Sequence, residues 1–487
     1  MFKIRIPQAI NKYEFEELIK VFLRPGEYLL LGPDDPEPDD AGEPFAGCAG
    51  VEGEAGGKLI VIDVPVFDES EQTGKKEHDI KNRIKRFLYR ELRRHTGEAP
   101  DWGILTGVRP VKLAAELLER NLPVEAAKDI LMREYFLTEE KARLLLDIAV
   151  YQEKLLKTGP AEEVGLYVGI PFCPTRCVYC SFPSNQGRPE EIASYMTALH
   201  REILFTAENM RRLGMYPESI YIGGGTPTIL TAEQLDALLG RIAEEFDLSR
   251  LREFTVEAGR PDTITADKLA ILKRYNVERI SINPQSMNIP TLDRIGRLHS
   301  PEDVTNAFRL AREAGIPVIN TDIIAGLPEE SPDDFVRTLD QVIALSPENI
   351  TVHTLALKRA SKLIEIDAEY HRKQGKTVRA MLDRGKEMLD KAGYFPYYLY
   401  RQKQMAGNFE NVGYARGDTA GIYNIRIMEE IQTIIAMGAG GISKVYYPEE
   451  NRLERVPNVS NYQIYIERLD EMLRRKTESI FQNREKI

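Results

Sequence analysis

The chain has 487 residues, a formal net charge of −11, 43% hydrophobic residues and 29% charged ones. The acidic excess argues against a general polyanion-binding surface and so against a nucleic-acid partner, leaving room only for a local basic pocket, and the apolar fraction excludes a disordered chain while leaving material for two or three cored domains. Four cysteines in this length exclude a disulfide scaffold and fit a reducing cytoplasm, the charged start MFKIRIPQAINKYEFEELIK predicts no secretory signal, and no run of about 18 apolar residues predicts a membrane span.

In chain order, FKIRI (2–6), EYLLL (27–31) and KLIVIDV (58–64) predict three short strands, and a helix is expected from about His78 to His95. Residues 1–100 therefore read as an N-terminal α+β domain. Between these elements, GPDDPEPDDAGEPFAG (32–47) is dense in Pro, Gly and Asp and reads as an exposed loop. Residues 101–159 carry the turn TGVRP (106–110) and then helically spaced apolar positions, a helical connector.

After Pro160 short β-rich runs alternate with amphipathic segments of helical length. LYVGI (166–170), SIYIG (219–223), EFTVEA (253–258), RISIN (279–283), IPVINTDIIAG (316–326) and NITVHTLA (349–356) are the strands. Thr231 with Gln234 has the pattern of a capping box, and Ser300 followed by Pro301 that of a helix start. Such alternation requires parallel strands joined by helical crossovers, and six units make a partial (β/α)6 TIM-like barrel over residues 160–357. Residues 358–487, with the aromatic run YFPYYLYR (394–401), read as a C-terminal α+β domain covering the substrate.

Three of the four cysteines, Cys173, Cys177 and Cys180, share one turn, PFCPTRCVYCSFP (171–183), directly after the first barrel strand. Ligands of α/β folds sit at that end of the strands. Soft thiolates select zinc or an iron–sulfur cluster. A closed zinc site needs a fourth ligand, and neither Cys48 nor any of the six histidines stands nearby in sequence. The three-cysteine set therefore points to a metal centre with one position left open for chemistry.

The segment YVGIPFCPTRCVYCSF resembles the motif of the radical S-adenosylmethionine (SAM) family. The resemblance implies that Cys173, Cys177 and Cys180 hold a [4Fe–4S] cluster. SAM would chelate its fourth iron and be cleaved to a 5′-deoxyadenosyl radical. Tyr179 would lie against the adenine, and Tyr167 would also touch SAM. GGGTP (223–227), with Gly224, Gly225 and Thr226, resembles the segment that holds SAM's amino group, its glycines admitting a ligand close to the backbone. Glu257, at a strand end, is placed to accept from a ribose hydroxyl.

RISINPQSMNIPTLDRIGRLHS (279–300) is similar to the oxygen-independent coproporphyrinogen III oxidase-like branch. By that likeness Gln285 contacts ribose and Arg297 grips the SAM carboxylate, as a planar fork can. Asp322 and Ile324 of INTDIIAGLP match positions that touch ribose and adenine. The branch implies oxidative decarboxylation of two propionates of coproporphyrinogen III to vinyl groups, giving protoporphyrinogen IX in haem biosynthesis. It also implies a low-potential electron donor such as flavodoxin or ferredoxin.

Phe182 stands where the established oxidase has a further cysteine, as in the haem chaperones of the branch, yet NFENVGYA (408–415) lacks the His-Asn pair of those chaperones. Three readings stay open: the decarboxylase, which the full set of SAM positions favours; a haem-binding chaperone without oxidase activity; and radical methylation or ring opening of haem. The first asks for cations against propionates, for which Arg359, Arg401 and Lys403 are candidates. The second asks for an axial ligand such as His353, with Tyr397, Tyr398 and Tyr400 as further groups able to ligate or stack.

Overall fold

The computed structural model describes residues 1–6, 11–33, 35, 59–67, 76–156, 159–180, 184–356, 374–402 and 408–482. Residues 36–47 of the acidic loop, Cys48, Phe182, Arg359, His371 and Lys403 lie outside the described residues. The chain divides into two compact units, Met1–Asp147 and Ile148–Ile487, a coarser division than the boundaries drawn from the sequence. Among the described residues no helix is long and apolar enough to cross a membrane.

In the first unit, strand β1 (Phe2–Arg5) lies between β2 (Tyr28–Leu31) and β3 (Ile60–Asp63), and both pairings are parallel. Ile4 sits opposite Leu30 and Ile62, so one face of the sheet is apolar. Parallel neighbours cannot be joined by a tight turn, and helix α1 (Tyr13–Phe22) supplies the first crossover. Its Phe15 and Leu18 join Ile84 and Leu88 of helix α2 (Lys76–Thr96) in the core over that face. Two further helices follow at Val111–Glu119 and Val124–Glu134, and a third, Glu139–Leu155, continues past Asp147 into the second unit.

In the second unit, six parallel strands pair in sequence order: β4 (Glu163–Ile170), β5 (Tyr216–Gly224), β6 (Glu253–Glu257), β7 (Arg279–Ser281), β8 (Val318–Ala325) and β9 (Asn349–Thr354). Nearly every residue of β4 and β8 is buried, as expected of strands covered on both faces. The helices between them start where the sequence places them. Thr231 Oγ1 accepts from the Gln234 amide while Gln234 accepts from the Thr231 amide, and Ser300 forms the same box with Asp303.

The texture of residues 358–487 gave no hint of where its strands pair. Strand β10 (Phe395–Tyr400) pairs with β11 (Asn411–Ala415), and β11 adds antiparallel to β9 at one edge of the barrel sheet. Strand β12 (Ile434–Met437) adds parallel to β4 at the other edge, followed by β13 (Ile442–Tyr447) and β14 (Arg452–Pro457) in an antiparallel meander. Edge strands expose unpaired backbone groups, so this region completes eleven-stranded pairing rather than standing apart.

Between β11 and β12 the chain passes from one edge of the sheet to the other, through the helix Ile422–Glu429. It meets the amino ends of the barrel strands. Arg426 donates from Nε to Glu218 Oε2 at 2.9 Å, Gln432 donates to the same oxygen at 2.7 Å, and the Ile422 amide donates to Glu253. Arg279 donates to the Thr419 carbonyl at 2.9 Å. These bonds close the barrel at the end away from the cysteine loop.

Candidate active site

The cysteine loop is fixed by its own backbone and by its neighbours. Cys173 donates its amide to Asn185 O at 2.9 Å, the Cys180 amide to Cys177 O at 3.2 Å, and Val178 to Ile295 O at 3.0 Å. None of the three cysteines is disulfide-bonded. Burial pushes the Cys173 thiol up to about 11, although Thr226 Oγ1 lies 3.5 Å from its sulfur and pulls the other way. All three sulfurs border one cavity of about 450 Å³ at the carboxyl ends of the strands.

The residues that the resemblance assigns to SAM border the same cavity. Gly224 ends β5 and Gly225 follows it, and Gly224 takes φ +113°, a conformation that favours glycine. A Cβ on Gly225 would stand 2.4 Å from the Phe172 carbonyl oxygen and 2.9 Å from Cys173 Sγ, so the loop can pass there only over a bare backbone. Thr226 follows, its amide bonded to Phe172 O at 2.8 Å. Tyr179 packs beside Ile324, Leu292 and Leu355, and burial raises its phenol well above the usual range.

Glu257 accepts from Tyr221 Oη at 2.6 Å and from the Gly224 amide at 3.1 Å. Burial nevertheless raises its carboxyl to about 7, and the charge of Asp322 pushes the same way. Asp322 itself is opposed by burial, but His353, Nε2 to Oδ2 at 3.6 Å, and Asn320, donating at 3.0 Å, hold it below its usual range. Tyr167 lies opposite Tyr221 in the β4–β5 register, and Tyr423 stacks on Tyr221 with ring centres 4.5 Å apart. These three rings form the aromatic floor of the cavity.

Gln285 holds φ +67°, uncommon for a residue with a side chain, because its amide donates to Asp322 O and its carbonyl accepts from Ile324, each at 3.0 Å. Its Oε1 is buried with no partner. Arg297 donates from Nη1 to the carbonyls of Gly259 and Asn283 and from Nη2 to Tyr179 Oη, all within 3.1 Å, while Nε is buried and unpartnered. Much of the Arg297 fork is thus engaged by the chain itself.

Residues that the sequence reading missed line the cavity too. Tyr221 was legible in principle, two positions before the glycines and in register with Tyr167. Tyr423 and Arg260 carried no signal. Of the groups weighed as ligands, His353 lines the cavity with Tyr400, whose hydroxyl is 3.2 Å from Nδ1, and Tyr398 lines it as well. Tyr397 instead is fully buried in a packing cluster. Arg401 is 3% exposed and donates to the Asn408 carbonyl at 2.9 Å instead of bordering the cavity.

Among the described residues no three His, Cys, Asp or Glu side chains stand close enough together to hold a single metal ion, and the three cysteines line the cavity as separate groups. The donor chemistry suits an iron–sulfur cluster held by three thiolates. The bare backbone at Gly225 and the unpartnered oxygen of Gln285 fit a polar cofactor lying beside it.

Comparison with known proteins places these residues in context. The model of the Radical SAM superfamily matches residues 167–342. The chain is 40% identical over 429 residues to the oxygen-independent coproporphyrinogen-III oxidase-like protein HemZ of Bacillus subtilis, covering 86% of this chain and 85% of that one. It is 28% identical over 298 residues to the heme chaperone HemW of Escherichia coli, covering 59% of this chain and 71% of that one. Coproporphyrinogen III oxidase (HemN) from E. coli, described as a radical SAM enzyme, superposes with a TM-score of 0.52 at 24% identity over 67% of this chain and 73% of its own, a likeness of fold.

Proposed function

The chain belongs to the radical SAM superfamily, in its oxygen-independent coproporphyrinogen III oxidase-like branch, and on that premise we propose that it decarboxylates coproporphyrinogen III propionates oxidatively to vinyl groups, giving protoporphyrinogen IX. One observation carries the reading. All thirteen residues that the sequence resemblance assigns to the cluster and to SAM border a single cavity at the carboxyl mouth of the six parallel strands.

In this reading Cys173, Cys177 and Cys180 hold a [4Fe–4S] cluster. When bound, the cluster supplies the electron that cleaves SAM to a carbon radical able to take a hydrogen atom from a propionate. The protein's part is to bind and orient. Gly224, Gly225 and Thr226 offer backbone to the cofactor, Glu257 and Asp322 accept from hydroxyls, and Gln285 offers the oxygen it leaves unpartnered. Tyr179 and Ile324 give an apolar wall, and the floor of Tyr167, Tyr221 and Tyr423 keeps water from a reactive radical. A low-potential flavodoxin or ferredoxin is the electron donor expected for such a centre.

A second reading, haem binding without oxidation, is favoured by His353, whose ring borders the cavity. The test is an anaerobic incubation of cluster-reconstituted, reduced protein with SAM and coproporphyrinogen III, followed by mass spectrometry. Stepwise loss of two carboxyl groups, coupled to 5′-deoxyadenosine, is expected. Deoxyadenosine with unchanged porphyrin, together with haem uptake that His353→Ala abolishes, favours the second reading instead.

A further inference from the structure

Arg260 follows β6 and is 3% exposed, and none of the roles above uses it. Its Nη1 donates to Thr175 Oγ1 at 2.9 Å and stands 3.8 Å from Cys177 Sγ. On the other side Nε donates to Asp262 Oδ1 at 3.0 Å and Nη2 to Oδ2 at 3.3 Å. Asp262 thus holds one edge of the guanidinium and aims the remaining edge at the cysteine loop. The local turn does not need the side chain, because the Arg260 backbone carbonyl alone accepts from the Thr263 amide at 3.0 Å and from Thr263 Oγ1 at 2.8 Å.

A guanidinium is permanently charged, and in a buried place its field is screened little. Hydrogen bonds and positive charge at a ligand sulfur stabilise the reduced, more negative state of an iron–sulfur centre. Resting on the cluster assignment above, we propose that Arg260 is a positioning residue that acts through Cys177 to raise the cluster's reduction potential, with Asp262 as the counter-charge that orients and tempers it.

The two residues then have opposite electrical effects. Removing the cation, Arg260→Gln, disfavours reduction, and removing the anion while keeping its oxygen, Asp262→Asn, favours it. A role confined to holding the loop predicts no such opposition.

The experiment is a potentiometric titration of the full-length reconstituted protein, followed by electron paramagnetic resonance, with iron and sulfide assayed in the same samples. Arg260→Gln is expected to keep its iron and to lower the equilibrium constant for reduction at least tenfold, about 59 mV for one electron. Asp262→Asn is expected to move the midpoint upward. An unchanged midpoint in the loaded Arg260→Gln protein, or a downward shift in both variants, overturns the proposal. If Arg260→Gln takes up no cluster, Asp262→Asn decides: an upward midpoint supports the proposal, and an unchanged or lower one overturns it. A wild-type protein that takes up no cluster overturns both the cluster assignment and this inference, whereas a loaded wild type whose variants keep its midpoint overturns this inference alone.

Discussion

At the amino ends of the barrel strands, Glu218, Glu253 and Arg279 are buried and bonded to the returning chain of residues 416–433, with Arg279 Nε and Gln432 Oε1 left unpartnered; at the carboxyl ends, Gln285 Oε1 and Arg297 Nε are likewise buried and unpartnered, but there they stand beside the cavity. One sheet thus treats buried polarity in two ways. At the closed end each charge meets an opposite charge or an amide, so burial is compensated and the end is held shut. At the open end glycine dihedrals, the strained Gln285 backbone and unmet polar atoms gather round the thiols, the state expected where a ligand completes the bonding.

Variants at the two ends can break or sharpen that contrast. Cys177→Ala has the largest expected effect: complete loss of cluster iron and of deoxyadenosine formation, with unfolding by urea little changed, checked by iron assay and product analysis. Retained iron and retained cleavage would remove the central assignment. Arg426→Met leaves Glu218 buried with Arg252 and Gln432 as its remaining partners and is expected to cost about 3 kcal/mol in urea unfolding. Iron content of the folded fraction should stay near wild type. A parallel fall in iron would show that the two ends are not independent.

Gly225→Ala places a methyl group against Phe172 O and Cys173 Sγ, and backbone cannot give way cheaply. Iron loading and SAM affinity are expected to fall together by about tenfold (about 1.4 kcal/mol), measured by iron assay and equilibrium dialysis. Arg297→Lys keeps the charge but loses the fork that reaches Gly259 O, Asn283 O and Tyr179 Oη at once. A fall in SAM affinity of up to about tenfold with iron content intact is expected; unchanged affinity would separate Arg297 from the cofactor.

The smallest effect concerns pH. The Glu257 carboxyl is raised to about 7 in the fold, above its value in the unfolded chain, so the folded state binds more protons between the ordinary carboxylate range and about pH 7. Its contribution to stability therefore falls as pH rises through that window and levels off above it. Because burial raises Glu330 to about 7 as well, comparing Tm of the wild type with that of Glu257→Gln across this range should show a steeper fall in the wild type than in the variant; parallel curves would mean that Glu257 ionises as freely in the fold as in the unfolded chain.

Much of the site was written locally. The cysteine turn, the three glycines, the cap residues Thr231 and Ser300 and the alternation of strand and helix are short-range signals, because turn geometry, capping and burial on both faces of a strand constrain neighbouring residues. Six barrel strands could be read from them, whereas the full set of thirteen site positions came from the resemblance of whole segments to the radical SAM family. Tertiary structure alone decided that β11 and β12 close opposite edges of the sheet, that Tyr423 enters the cavity floor, that Arg426 reaches Glu218 and that Arg260 turns toward Cys177. Those partners lie 83 residues apart for Arg260 and Cys177 and 208 for Arg426 and Glu218. At such separations the pairing depends on strand register and on which buried charge has to be answered, and neither is set by the residues beside it in the chain.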